Sequence, residues 1–161
     1  MKKLYDSSPI WMQNIACSAI GLKLTYQRYN KSFEKIFKGY LERSSWQYDS
    51  ILKHRDERLR HFVEHAVSNT DYYSTLFSKL KIKSHDIQTI TDLSQLPILT
   101  KDEVKKNYQQ LVSRNIPRSE IIMAHTSGTT GSGLVFPTTI RAVQEQWSVW
   151  WRYRLLHNIT R

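Results

Sequence analysis

Ile121-Ile122-Met123-Ala124-His125-Thr126-Ser127-Gly128-Thr129-Thr130-Gly131-Ser132-Gly133-Leu134-Val135-Phe136-Pro137-Thr138 is the stretch on which the reading of the fold turns. Gly128, Gly131 and Gly133, three of the chain's five glycines, fall within six residues, and five Ser and Thr hydroxyls, at 126, 127, 129, 130 and 132, precede and separate them. The apolar runs Ile121–Ala124 and Leu134–Phe136 on either side are rich in β-branched or aromatic residues and predict two short strands. Pro137 closes the second run, so the expected unit is strand–loop–strand. Glycine tolerates left-handed backbone and lets a ligand come close to the main chain, so successive N–H groups can converge on an anion. Ser and Thr add donors with little bulk. A Walker-type loop would instead end in Gly-Lys-Ser/Thr and run into a helix. A hairpin of small polar residues that binds nothing is the plain alternative to a phosphate loop.

Outward from the loop, Thr139 predicts the start of a helix with Val143, Trp147, Trp150, Trp151 and Leu155 on one side. Upstream, Thr100 and Glu103 form a capping box that opens a helix through about Gln109. Thr91–Pro97 reads as a short helical turn stopped by proline. Ser68-Asn69-Thr70-Asp71 ends one helix and caps the next, whose apolar face is Tyr72, Tyr73, Leu76, Phe77 and Leu80. The helix before it has Leu59, Phe62, Val63, Ala66 and Val67 at the spacing of a stripe buried on one side. His61, Glu64 and His65 within it spell an inverted zinc-protease motif, but no further acidic helix supplies a third ligand, and a solvated basic face is the preferred reading. Phe33, Ile36, Phe37, Tyr40 and Leu41 stand at helical spacing within 31–54. Before them, an irregular start and a helix are expected, with Trp11, Ile15 and Ile20 or Leu22 packed inward. A surface-lying amphipathic helix touching a membrane is the functional alternative for that segment.

The chain has 161 residues, enough for one domain with a core, a mean hydropathy of −0.54, and five Trp, nine Tyr and five Phe. Lys and Arg number 24 against 14 Asp and Glu, a net charge of +10 that favours anionic partners. Basic residues run from Lys2 to Arg161 without forming one tract, which argues against nucleic acid as the partner. One cysteine, Cys17, excludes an internal disulfide. The stretch Ile10 to Leu22 is interrupted by Gln13 and Asn14 and is too short and polar for a secretion or transmembrane segment. A cytoplasmic protein is expected.

Thr126-Ser127-Gly128-Thr129-Thr130-Gly131 closely resembles the phosphate-binding loop of the adenylate-forming enzymes. His65-Ala66, Asp71-Tyr72-Tyr73, Phe77 and Leu96-Pro97-Ile98-Leu99-Thr100-Lys101 are similar to the phenylacetate–coenzyme A ligase branch. Pro9-Ile10-Trp11-Met12-Gln13-Asn14 resembles the opening of the CapK-type proteins associated with capsular or other surface polysaccharide synthesis. The resemblance implies an α/β fold, α+β-like over this length: the helix-rich amino-terminal part of an adenylate-forming enzyme, with a β-hairpin carrying the loop. It further implies a helical region at 1–54 and the beginning of the AMP-binding domain at 55–161. The implied reaction is ATP plus a small carboxylate giving acyl-adenylate and pyrophosphate, then a thioester with coenzyme A. Thr126, Ser127, Gly128, Thr129, Thr130 and Gly131 would bind the nucleotide phosphates, with Mg2+ sharing the charge. Many relatives follow the loop with a proline and often a lysine, where Gly133 and Leu134 stand here. Full members are roughly two to three times as long. Their adenine pocket, magnesium-binding acid, ribose-binding Asp and catalytic Lys lie downstream of the loop and have no counterpart before Arg161. An amino-terminal fragment, inactive alone and with neither catalytic nor metal-ligating residues, is thus expected. Two other readings stand beside it: a partner that docks on an intact homologue through its Trp-rich helix, and a basic helical nucleic-acid-binding module.

Overall fold

Helix-forming signals dominate the sequence, and the computed structural model, which describes residues 5–126 and 133–160, is mainly helical with one two-stranded antiparallel sheet. The order is α1 (Ile10–Arg28), α2 (Lys31–Glu42), α3 (Tyr48–Asn69), α4 (Asp71–Leu80), α5 (Lys101–Lys106), α6 (Tyr108–Leu111), β1 (Ile121–His125), β2 (Val135–Thr139) and α7 (Ile140–Leu156). The chain divides into two units. Met1–Ser44 and Ile140–Arg161 form the first, and Ser45–Thr139 the second.

In the second unit, Val63, Phe77 and Ile87 form an apolar centre, surrounded by Leu59, Val67, Tyr73, Ile82, Leu93 and Leu96. Burying each large side chain contributes on the order of 1.5–3 kcal/mol. The predicted stripe on α3 holds except at Phe62, which is exposed. Its position is at the rim of the arc centred on Val63 and Ala66, and among the described residues it is left 67% exposed. Asn69 ends α3 and Thr70 caps α4, as its side chain predicts. The buried Thr70 hydroxyl donates to Ala66 C=O at 2.8 Å and accepts from Tyr73 N–H at 3.3 Å, so one oxygen closes one helix and opens the next. Lys81 ends α4 in left-handed backbone (φ 57°), a position glycine more often fills. The turn at Ile90–Gln95 is pinned by Asp92, whose carboxylate accepts from Gln88 and Thr89 N–H. The Thr100–Glu103 box is formed in both directions. The helix it opens breaks at Asn107 into α5 and α6, where one continuous helix was expected.

The first unit is built differently. Phe33 on α2 is fully buried, meeting Tyr29 edge-on at 5.1 Å and stacking on Phe37 at 5.5 Å. The side chains of α7 buried beside it are polar: Gln144 and Ser148. Gln144 Nε2 donates to Gln27 C=O at 2.7 Å and to Asn30 Oδ1 at 3.0 Å, and Asn30 itself caps α2 through Ser32 and Phe33 N–H. One amide therefore ties the end of α1, the start of α2 and the middle of α7. Ser148 donates to Gln144 C=O at 2.8 Å. Trp147 and Trp151 flank this node. Tyr29 lies edge-on to Trp147, and Trp151 Nε1–H donates to Tyr29 Oη at 3.3 Å. The inward face of α7 thus runs through Gln144, Ser148, Trp151 and Leu155, and Trp150, expected on it, is exposed. Trp11, Ile15, Ile20 and Leu22, expected to pack inward, are exposed too, and α1 buries no residue fully. The partly buried positions of α1 are Gln13, Ala16, Gln27 and Arg28 instead; Gln13 Nε2 donates to Ser8 C=O at 2.8 Å, and Gln27 C=O accepts from Gln144.

Candidate functional site

The strands flanking the glycine loop form where the sequence predicts them. β1 and β2 pair antiparallel with Ile121 opposite Thr139, Met123 opposite Pro137 and His125 opposite Val135. Thr126 N–H donates to Leu134 C=O at 2.9 Å, which continues the ladder one pair beyond the strands. Because antiparallel N–H groups alternate in direction, Ala124 and Ile122 also face β2, while the backbone nitrogen of Pro137 faces away from β1. Pro137 therefore sits inside β2 rather than closing it, at a position where no ladder donor is lost.

Of the six predicted phosphate-binding residues, Thr126 is described; Ser127, Gly128, Thr129, Thr130 and Gly131 lie outside the described residues. Thr126 stands at the neck of the loop. Its hydroxyl accepts from Leu134 N–H at 2.8 Å, taking the place its own carbonyl would have in a regular ladder. Gly133 completes the neck: a Cβ there would lie 2.2 Å from Thr126 O, well inside van der Waals contact. The close approach of the two strands at this point requires glycine. Sequence reading registered Gly133 and Leu134 as a departure from the proline and lysine of many relatives. The signal for their role was already there, a third glycine next to Leu134, the residue that stands opposite Thr126 across the hairpin. Chemically, the neck fixes both ends of a six-residue Ser/Thr/Gly loop.

At the foot of the hairpin, Ile121, Pro137 and Thr139 share a cavity of about 200 Å3 with Leu111, Val112 and Ile116. Its lining is mostly apolar. The adjoining segment 113–115 is clamped to the end of α3. Arg114 N–H donates to Asn69 C=O at 2.8 Å, its guanidinium donates to Ser68 C=O at 2.9 Å, and it pairs with the Asp71 carboxylate. A cation here meets the unpaired carbonyls of a helix C-terminus.

The same segment holds a Ser–His–Asn chain: Ser113 Oγ is 3.2 Å from His65 Nε2, and His65 Nδ1 is 3.5 Å from Asn69 Nδ2. Proton placement argues against nucleophilic catalysis there. Ser113 gives its proton to Asn115 Oδ1 at 2.7 Å, and the Asn69 amide can only donate to Nδ1. His65 Nε2 must then carry the hydrogen toward Ser113, which leaves no lone pair to accept the serine proton. With both ring nitrogens committed, His65 is also poorly placed to join His61 and Glu64 around zinc. Among the described residues no group of three His, Cys, Asp or Glu side chains is placed to hold a metal, so no step is assigned to the Mg2+ that the family resemblance implies.

No protein-family model matches the chain. Among curated proteins it is similar to Protein CapK of Staphylococcus aureus, 28% identical over 135 residues, which cover 84% of this chain and 28% of that protein. It is also similar to phenylacetate-coenzyme A ligase of Escherichia coli (strain K12), 26% identical over 103 residues, covering 63% of this chain and 22% of the ligase. The chain spans less than a third of the length of either relative. Both similarities bear out the recognition made from the loop and its flanking motifs, that of a CapK-like, phenylacetate–coenzyme A ligase-like sequence.

Proposed function

We propose that residues 121–139 form the phosphate grip of a CapK-type, adenylate-forming protein, and that the 161 residues act at the pyrophosphate end of bound ATP. The observation that carries this reading is the neck at Thr126, Gly133 and Leu134, which pins the Ser/Thr/Gly loop between two paired strands. Backbone N–H groups from Ser127 to Gly131 and the hydroxyls of Ser127, Thr129 and Thr130 would donate to the β- and γ-phosphates. The Thr126 hydroxyl accepts from Leu134 N–H at 2.8 Å and donates to Leu134 C=O at 3.5 Å, so its part is to hold the neck closed. Fixed donors stabilise the charge that grows on pyrophosphate as it leaves, and each such donor is worth about 3–4 kcal/mol where one has been removed from comparable sites. The carboxylate attacking the α-phosphate, and coenzyme A as the later acceptor, belong to the reaction of the ligase relatives and would be served by residues beyond this loop. In this arrangement 1–54 is an accessory helical region and 55–161 begins the AMP-binding domain. A cytoplasmic setting and a link to surface polysaccharide synthesis complete the reading.

Alignment of both reactants can supply on the order of 7–11 kcal/mol of a barrier, and a grip on the leaving group alone leaves that out. The 161-residue chain is therefore expected to bind triphosphate weakly and to catalyse no adenylation. Calorimetric competition tests this. Inorganic triphosphate should displace ATP about as well as ATP itself, adenosine should not, and Gly128→Val should abolish both effects. Strong competition by adenosine would overturn the phosphate-directed reading. Carboxylate-dependent exchange of labelled pyrophosphate into ATP, lost in the same variant, would overturn inactivity alone.

A further inference from the structure

The charge of this protein is unevenly placed. Met1–Ser44 and Ile140–Arg161 carry twelve Lys and Arg against four Asp and Glu, while Ser45–Thr139 carries twelve against ten. Eight of the ten net positive charges thus belong to the first unit. Among the described residues, that unit's α1 also carries more exposed large apolar side chains than any other helix. On α1, Trp11 is 63% exposed, Ile15 61%, Leu22 74% and Tyr26 74%. At about 3.6 residues per turn these four fall within roughly 60° of arc, one stripe along the helix; Gln13, Ala16 and Gln27 are partly buried on the other side, where Ile20 and Leu24 are also exposed. Lys23 stands beside the stripe, with a stem long enough to lie along an apolar surface and leave the charge at its edge.

We infer that α1 is an interfacial anchor, and that the first unit binds an anionic lipid bilayer with Trp11, Ile15, Leu22 and Tyr26 seated at the headgroup–acyl boundary. The stripe supplies the apolar contact. The basic excess chooses the partner, since a bilayer rich in acidic headgroups attracts a unit of net charge +8 and a neutral one does not. Trp and Tyr at the two ends suit that boundary, each being an apolar ring with a polar tip. Among the described residues no helix is long and apolar enough to cross a membrane, so this attachment is one of lying on the surface. A second copy of the chain fits less well, because two surfaces of the same strong positive charge would have to meet.

The test is flotation of the full chain with vesicles of phosphatidylglycerol and phosphatidylcholine at a 3:7 ratio, against vesicles of pure phosphatidylcholine. The protein should float with the acidic vesicles and stay behind with the neutral ones, and high salt should weaken binding several-fold. Ile15→Glu with Leu22→Glu should lower the apparent affinity more than tenfold, with the circular dichroism spectrum unchanged because both side chains are exposed. Lys23→Glu should lower it by a few-fold. Phe62→Glu, at an equally exposed apolar position of the second unit, should leave it unchanged. Equal recovery with both vesicle types, no recovery with either, or stripe variants that float like the parent would overturn the proposal. So would a dimer, seen by analytical ultracentrifugation without lipid, that the stripe variants convert to monomer.

Discussion

The two units solve the same problem with different chemistry. In Ser45–Thr139 the centre is aliphatic and aromatic carbon, Val63, Phe77 and Ile87, and polar side chains work at helix ends. In the first unit a glutamine and a serine are buried beside Phe33, and the aromatic rings that surround them carry hydroxyl, indole or guanidinium partners. An apolar centre asks for volume, and substitutions of similar size are tolerated. A polar node asks for particular atoms, because each buried donor or acceptor that loses its partner keeps its desolvation cost. Specificity of pairing in the first unit therefore rests on a few hydrogen bonds, and in the second on shape.

The sharpest way to break this contrast is at its largest side chains. Phe33→Ala should cost the first unit about 3–5 kcal/mol, and Phe77→Ala should cost the second a similar amount, as for other buried phenylalanines. Four of the five tryptophans, at 11, 147, 150 and 151, belong to the first unit, so urea unfolding followed by tryptophan fluorescence should report Phe33→Ala far more strongly. Equal fluorescence midpoints for the two variants would contradict it.

A smaller effect separates the two chemistries. Gln144→Met keeps most of the volume but removes the amide from Gln27 C=O and Asn30 Oδ1, and should cost about 1–3 kcal/mol. Ile87→Met, an equally conservative change in volume at a fully buried apolar site, should cost less than about 1.5 kcal/mol. If Gln144→Met proves the milder of the two in denaturant titrations, the node contributes packing rather than pairing.

These cases also show what the sequence could and could not disclose. The hairpin, the Thr70 junction, the Asp92 turn and the Thr100–Glu103 box were legible because each is decided by residues within a few positions of one another. Periodicity told where α1 and α7 form, but not which side finds a neighbour. Trp11, Ile15 and Trp150 look like core residues by composition, yet they are exposed, while the contact that joins α1 to α7 runs through Gln144, over a hundred positions from Gln27. A polar residue is a poor candidate for a core until its partners are known. The spacing of Gln144, Ser148, Trp151 and Leu155 was the available signal, hidden by the two polar members. At the candidate site, the strands and the need for glycine were legible, and the use of the Thr126 hydroxyl as a clamp on the neck was not.

The smallest expected effect concerns acid. Hydrogen bonds from Thr89 N–H, then Gln88 N–H and the Thr89 hydroxyl, hold the Asp92 carboxyl below its ordinary value, and Thr100 N–H and hydroxyl do the same for Glu103. A pKa lowered by folding contributes stability that is complete above the unfolded-state value and disappears as pH falls through the folded-state value. Both groups belong to the second unit, so its stability should decline over the acidic side of the ordinary carboxylate range. Asp92→Asn with Glu103→Gln should flatten that limb of a thermal-melt series against pH. An unchanged acid limb in the double variant would show that other carboxylates set it.

Pro137 has a consequence for assembly. A two-stranded ribbon has two open margins, and a third strand from any source must dock on one of them by main-chain pairing. Along β2 the outward-facing amides are those of Val135, Pro137 and Thr139, and the middle one cannot donate, so that margin is interrupted at its centre. Along β1 the corresponding amides of Ile121, Met123 and His125 form an unbroken row. Sheet growth from this hairpin, whether by the protein's own strands or by unwanted association, is thereby directed to one side.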